Sequence, residues 1–382
     1  MLTPVWLFAR GPKSSLAALL ALGVAINLDL WLQTGVRTGG DTTRYTGGAE
    51  ALLEGGDLGQ GWNYLGYVAL VAASRATGVG DVGLVAVQVV LMLAAAVALW
   101  DFGRQQGQPV LGWAAALLWL SVPDFTRFLG WQTFVLTDAV LAAVLVLTMW
   151  ATERARGRSW RFGLGIVLAL GVATLNPHGW VLASILVAYL IVTEPRWSRG
   201  TRAGLALGAL AMCAVAISSA PNRGTVPDPG RDLRDGRIFP SGVSFDHWQL
   251  SMPDFATPRT PVEYVAAHPV ASLKLALARA AVEAARVRPA MNRNGYVVFG
   301  GWALVMWALA TLGIWCGRRS QLVQLCAALV AAQLAFTAIT FADADGRWLA
   351  QVAGPLAVLA GFGIVALNGA WARARSKGRS HT

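Results

Sequence analysis

The chain is poor in charge, in lysine, in cysteine and in histidine, and each shortage removes a class of function. Only 13% of its 382 residues are charged, while 55% are hydrophobic and the mean hydropathy is +0.52. Soluble domains carry about 25% charged residues, so the deficit argues against a water-soluble globule and for a bilayer. The three cysteines, Cys213, Cys316 and Cys326, sit in or at the ends of apolar runs without metal-ligand spacing. They read as small buried hydrophobes, which excludes a disulfide scaffold. The four histidines (His178, His247, His268, His381) are too scattered to compose a metal site. Lysine occurs at Lys13, Lys274 and Lys377 alone, so arginine supplies nearly all of the positive charge. A net charge of +11 does not indicate nucleic acid. The basic residues come in short clusters between long apolar runs, as membrane loops do, and form no contiguous basic face.

What is present is a series of apolar runs of spanning length, for which about 20 residues are needed. Ten candidate spans are expected: 14–33, 82–101, 107–123, 132–151, 161–175, 178–193, 203–220, 297–316, 321–341 and 348–370. The first follows Arg10 and Lys13. No small-x-small cleavage site succeeds it and Asn27 and Asp29 interrupt its end, so an uncleaved span is expected rather than a signal peptide. The fifth and sixth arise from one run broken at Asn176-Pro177-His178-Gly179, where Pro and Gly favour a turn.

Basic residues set the orientation. Arg10, Lys13, Arg104, the clusters Arg154 to Arg161 and Arg196 to Arg202, Arg318, Arg319 and the tail from Arg373 to Arg379 fall on one side. Only Arg37, Arg44, Arg75, Arg127 and Arg347 fall in the short loops of the other. The positive-inside rule then makes both termini cytoplasmic, in an inner or plasma membrane. The expected fold is an all-α polytopic membrane protein forming a single membrane-embedded domain over 1–382. Residues 34–81 make a first outer loop with interfacial helices. The run 62–77 is too short to span, with Trp62, Tyr64 and Tyr67 expected at headgroup depth. Residues 221–296 make a long outer loop. Its second half, His268 to Arg288, is expected to be an amphipathic helix along the membrane surface, with Leu273, Leu277 and Ala281 on one side and Lys274, Arg279 and Arg286 as basic residues.

Every candidate functional residue falls on the outer side. Asp41, Arg44 and Tyr45 lie in the first loop, where Asp41 alone could equally be a solvated loop acid. Asp138 stands at the outer end of a span, where a carboxylate is costly and therefore a functional candidate, or else an N-cap of a helix starting at Ala139. His178 lies in the turn between the fifth and sixth spans. Asp343, Asp345 and Arg347 occupy the loop before the last span. That loop is compatible with a solvated turn, a divalent-ion site or an Arg–carboxylate cluster. A guanidinium at the membrane surface suits bidentate phosphate binding.

The pattern Asp41-x-x-Arg44-Tyr45 followed by Glu50-Ala51-Leu52-Leu53-Glu54-Gly55-Gly56 resembles the first outer loop of GT-C glycosyltransferases. It is closest to the family-39 group of protein O-mannosyltransferases and the lipid A aminoarabinose transferase. Gly66-Tyr67, Leu136-Thr137-Asp138, Leu175-Asn176-Pro177-His178-Gly179, His268-Pro269 and Asp345-Gly346-Arg347-Trp348 continue the resemblance in order. It implies a GT-C-like fold of about ten transmembrane helices. The activity it implies is transfer of a sugar from a polyprenyl-phosphate donor to a lipid, glycan or protein acceptor at the outer face, with inversion.

On this resemblance Asp41 is the candidate general base and Asp138 a second functional acid. Arg347 is the first candidate for the donor phosphate, with Lys274 and Arg279 after it. Arg44, Tyr45, His178 and Asp345 are candidate substrate-binding residues. A divalent cation, Mg or Mn, is compatible with Asp41, Asp138, Asp343 and Asp345, without an assigned site. One departure matters: relatives often carry Lys-Pro or His-Pro ahead of the Gly-Tyr pair, where this chain has Trp62-Asn63. The competing readings are a transporter or flippase of lipid-linked sugars and a non-catalytic assembly subunit. A transporter should place polar groups near the midplane of several spans and often shows internal repeats; the sequence shows neither.

Overall fold

The computed structural model describes residues 12–39, 41–125, 133–195, 197–219, 233, 235–239, 249–253, 261–286, 293–340, 342 and 347–379. Among them the architecture is all-α, with only two isolated β-bridges, Arg37 with Phe134 and Arg237 with Gln249. Helix occupies the body of each of the ten expected spans: α1 (Pro12–Thr34), α4 (Gly80–Gln105), α5 (Pro109–Leu120), α6 (Thr137–Arg154), α7 (Arg161–Leu175), α8 (Pro177–Thr193), α9 (Arg199–Ser219), α12 (Arg293–Gly317), α13 (Gln321–Ile339) and α15 (Ala353–Arg379). Five of these are long and apolar enough to cross a membrane: α1, α4, α12, α13 and α15. α5, α7 and α8 are apolar but shorter. The protein is thus a polytopic membrane protein with five helices of full spanning length and composition.

Two apolar surfaces coexist. Trp119, Leu99, Leu141, Val146, Leu329 and Leu356 are fully buried between helices, while Leu32, Val90, Leu304 and Ile339 are more than 60% exposed. Outward apolar side chains are what a helix presents to lipid. Association inside the bilayer must then come from close packing rather than from removal of apolar area from water. α12 and α15 show how: a Cβ at Gly313 would collide with the Leu359 carbonyl, and one at Gly363 with the Leu309 carbonyl. Only hydrogen fits there, so the two backbones touch. Cys326 is buried as expected, but Cys316 is exposed, because it lies on the outward side of α12. The side chain of Cys213 lies outside the described residues.

The segment between α1 and α4 is more ordered than the sequence indicates. Asp41 does not sit in a plain loop but at the N-cap position of an additional helix, α2 (Thr42–Glu54). The paired glycines Gly47-Gly48 lower helix propensity and hide it. Gly48 is needed there because a Cβ would press within 3.1 Å of a Val68 methyl and 3.4 Å of the Gly61 backbone. The 62–77 run forms a 3₁₀ turn, Gly59–Tyr64, followed by α3 (Leu65–Ala76). Trp62 is exposed, but Tyr67 is buried and donates to Gln88 Oε1 at 2.8 Å, so it is an interior residue and not a headgroup anchor.

Between α9 and α12, α10 (Pro261–Ala267) leads into α11 (Pro269–Ala285), the expected amphipathic helix. Leu273 and Leu277 face outward at 58% and 61% exposure, whereas Ser272, Arg279 and Glu283 are buried. The polar face points in because its partners are in: the carbonyls of Arg237 and Ile339 and the N–H of Leu349. Of the three basic residues expected to lie near anionic groups at the membrane surface, Arg279 and Arg286 are instead buried in the protein. Arg286 is buried, paired with Asp124 and stacked against Phe299 and Trp302.

Candidate active site

Three pieces of chain, distant in sequence, converge at one end of the bundle. The first is the segment before α2, which docks against the segment before α6. Arg37 N–H donates to the Thr133 carbonyl at 2.9 Å, and Val135 N–H returns a bond to the Arg37 carbonyl at 3.1 Å. The Thr42 hydroxyl donates to the Val135 carbonyl at 3.3 Å and accepts from Gly39 N–H at 2.9 Å. These bonds set the start of α2 against the start of α6, and hence Asp41 beside Asp138. Both carboxylates stand at helix N-terminal ends, where exposed amide dipoles favour negative charge. Asp138 is not the N-cap of α6. That position is Leu136, and Asp138 lies in the first turn.

The third piece is the short turn α14 (Trp348–Gln351) with Arg347 at its head. Arg347 Nη1 lies 2.7 Å from Asp41 Oδ2 and 4.0 Å from Asp138 Oδ2, and Gln351 Nε2 donates to Asp138 Oδ1 at 2.6 Å. One guanidinium therefore serves two carboxylates. α14 is held from below: Glu283 of α11 accepts from Leu349 N–H at 2.8 Å, and the Trp348 carbonyl accepts from Gln333 Nε2 at 3.1 Å. His178 fills the space behind. Its ring lies 4.2 Å from that of Trp348 and 4.6 Å from that of Phe336, and its Nδ1 meets Gln333 Nε2 at 2.9 Å. Gln Nε2 can only donate, so Nδ1 accepts and the neutral ring carries its proton on Nε2. Asn176 caps α8 through His178 N–H and reaches across to the Thr137 hydroxyl at 3.1 Å, tying α8 to the start of α6.

The site has two tiers. The side chains of Asp41, Arg44 and Arg347 keep 26%, 31% and 20% of their surface exposed. Beneath them Asp138, Tyr45 and His178 are buried. Arg44 Nη1 donates to the Tyr64 hydroxyl at 3.1 Å and lies 3.6 Å from Asp41 Oδ1. Burial works against the Arg44 charge. The combined pull of Tyr64, Asp41 and Tyr45 outweighs it and holds the guanidinium above its ordinary value. Tyr45 packs edge-to-face on Tyr64 and Tyr67 with centroids 5.1 and 5.0 Å away. Burial, then the negative groups around it, push its phenol well above 10, against the hydrogen bond with Thr137, so it stays neutral.

Of the residues expected from the sequence, the structure brings together Asp41, Asp138, Arg347, Arg44, Tyr45 and His178. It does not bring in Arg279, whose guanidinium is bound to the carbonyls of Arg237 at 2.7 and 2.9 Å and of Ile339 at 3.4 Å. Lys274 is exposed and lines a separate cavity of about 660 Å³ with His268 and Ser251. Asp343 and Asp345 lie outside the described residues. Among the described residues no three His, Cys, Asp or Glu side chains gather as a metal site. The position between Asp41 and Asp138 is taken by the Arg347 guanidinium, so this donor pair does not fit a divalent ion while Arg347 remains there. Gln351, Gln333 and Glu283 were missed in the sequence. The two glutamines had a usable signal, since a polar side chain inside an apolar run must find a partner.

Comparison with known proteins follows this geometry in part. The family of dolichyl-phosphate-mannose-protein mannosyltransferases matches over residues 67–220, a stretch that holds Asp138, Asn176 and His178 but neither Asp41 nor Arg347. No curated protein and no solved structure matches the chain. The family match, together with the apolar helices, supports a membrane glycosyltransferase of the GT-C type.

Proposed function

We propose that the protein is an inverting glycosyltransferase that moves a sugar, hexosyl or pentosyl, from a polyprenyl-phosphate donor to a hydroxyl acceptor at the outer membrane face. Asp41 is the general base and Arg347 the cation for the donor phosphate. The observation that carries the reading is the part-exposed Asp41–Arg347 pair held above a buried support of Asp138, Gln351 and His178. The matched family, whose description names a dolichyl-phosphate sugar donor, supports the donor class.

In the reaction the acceptor oxygen attacks the anomeric carbon from the face opposite the phosphate. The bond from that carbon to the phosphate oxygen breaks, and the acceptor proton passes to Asp41. A positioned base contributes typically 10²–10⁴-fold. The leaving phosphate gathers negative charge, which a preorganised guanidinium stabilises as it develops. Arg347 cannot give its full fork to Asp41 and to a phosphate at once. Donor binding therefore draws Arg347 toward the phosphate and frees the Asp41 carboxylate to accept the proton, so base strength rises only when donor is present. Arg44 and Tyr64 hold the other side of Asp41 and orient it. Active-site placement on the outer face and cytoplasmic termini belong to the same proposal.

The test is Asp41→Asn, assayed with radiolabelled polyprenyl-phosphate sugar and a mixed pool of lipid, glycan and peptide acceptors. Transfer should fall at least ~100-fold, in line with loss of a general base, while the protein elutes as a folded species in detergent. Full transfer by the variant would remove Asp41 from the role.

A further inference from the structure

The end of the bundle remote from Asp41 holds two cavities of similar size and opposite electrostatic character. One, about 550 Å³, is lined by Arg104, Arg154 and Arg156 but also by Asp101 and Glu153. Arg154 pairs with Asp101 at 2.7 Å and Arg156 with Glu153 at 2.5 Å, so the acids neutralise two of its three arginines, and the third, Arg104, also acts on Asp101. The other, about 600 Å³, lies where the end of α12 and its turn into α13 meet the beginning of α5 and the middle of α15. Its lining contains Arg318 and Arg319 and no carboxylate.

Among the described residues neither of those guanidinium groups has an ion pair. Arg318 stacks over the exposed Trp315 ring at 5.4 Å, which fixes the plane of the fork. Gln108 contributes a buried Oε1 with no donor to satisfy it, a state that costs about 1–3 kcal/mol unless a ligand or water donor arrives. The remaining wall is apolar, from Phe362 and Val365 of α15. It runs into the outward surface formed by Ile314, Trp315 and Leu367, which are 38%, 70% and 52% exposed.

A paired cationic fork suits a phosphate, and an unsatisfied acceptor suits a hydroxyl. An apolar wall open to the lipid-facing surface suits an acyl chain. A cavity of this volume is the size that headgroups and other small ligands occupy. We propose that it binds the headgroup of an anionic phospholipid: Arg318 and Arg319 hold the phosphodiester, Gln108 turns its now buried Oε1 to accept from a headgroup hydroxyl, and a chain lies along Trp315, Phe362 and Val365. The companion cavity has no such use, because its arginines already face acids. The lipid ties the α12–α13 turn to α15 from the side opposite the Asp41 site.

Native mass spectrometry of the full chain in detergent tests this with phosphatidylglycerol, phosphatidylcholine of the same chains, and glycerol 3-phosphate as a free headgroup. Phosphatidylglycerol should be retained at roughly thirtyfold lower concentration than phosphatidylcholine, the scale of two arginines at a membrane surface. R318Q/R319Q should bring that ratio close to one. V365W, which fills the cavity and keeps both charges, should do the same and decides the matter if the double variant does not accumulate. R104Q, at the neighbouring cavity, should leave the ratio unchanged. Equal retention of the two lipids overturns the proposal, as does a V365W variant with full preference. A loss in R104Q equal to that in R318Q/R319Q would mean diffuse surface charge instead of a site. Competition by glycerol 3-phosphate as strong as by the lipid would make the ligand a soluble phosphate and sink the lipid assignment.

Discussion

Both ends of the helical bundle carry a pair of acids with arginines, and the two pairs are wired differently. At the end remote from α2, Glu153 is buried under Arg156 at 2.5 Å, Arg161 at 3.4 Å and the Tyr189 hydroxyl at 2.6 Å. Asp101 has Arg154, the Trp150 indole and Gln105. Each acid there has its own cation. At the other end Asp41 and Asp138 share Arg347, and Asp41 keeps a quarter of its side chain exposed. Glu153 is shut away, 4% exposed beneath two arginines and a hydroxyl. Asp41, the proposed base, has one close cation in Arg347 and a looser one in Arg44 at 3.6 Å, and keeps an open side from which a substrate could reach it.

Three changes would break or sharpen this contrast. The largest is Glu153→Ala, which leaves Arg161 buried without its acid. Loss of one member of a buried pair costs about 3–5 kcal/mol, so unfolding in SDS–detergent mixtures should shift strongly, with transfer per folded molecule unchanged. The reverse pattern is expected of Asp41→Asn. Next is Glu283→Ala, which orphans the Leu349 N–H under Arg347. A buried unmet donor costs about 1–3 kcal/mol, and transfer should fall about tenfold with the apparent donor affinity weakened, because Arg347 loses its platform; this magnitude assumes about 1.4 kcal/mol of misplacement. Glu283→Gln keeps an acceptor oxygen and should recover most of both. If Glu283→Gln and Glu283→Ala behave alike, the charge and not the hydrogen bond is what matters. The smallest is Tyr45→Phe. It removes the hydroxyl bonded to Thr137 and spares the ring packing, for about 1 kcal/mol in thermal unfolding. Transfer should stay within about fivefold of the parent, that same 1 kcal/mol being the most the chemistry could lose.

The contrast also separates what the sequence made legible from what it did not. Segments 82–101 and 297–316 announced themselves as helices through length and hydropathy. Asp138 stood out because a carboxylate at the end of an apolar run is costly, and Arg347 because a guanidinium at a membrane surface suits phosphate, whereas Asp41 was marked by the resemblance alone. Helix α2 was hidden by Gly47-Gly48, residues that lower propensity and are needed for contact with Gly61 and Val68. The helix α11 and its apolar stripe were legible, but not the burial of its polar face, because hydropathy cannot say what a basic side chain will meet. Leu273 and Leu277 face out, while Arg279 and Glu283 face in to find backbone partners. Gln333 and Gln351 passed unnoticed as single polar residues in long runs. Their task, joining His178, Trp348 and Asp138, is fixed by tertiary contacts that no local pattern encodes.

The Asp41–Arg347 pair joins positions 306 residues apart. During synthesis, then, both carboxylates are in place in the chain long before the arginine that reconciles them exists. A nascent chain lacking its last helices would display mutually repelling acids and no completed centre. Completion of the proposed centre is therefore a late event in biogenesis, and a ribosome that stalls before codon 347 releases a polypeptide that lacks it.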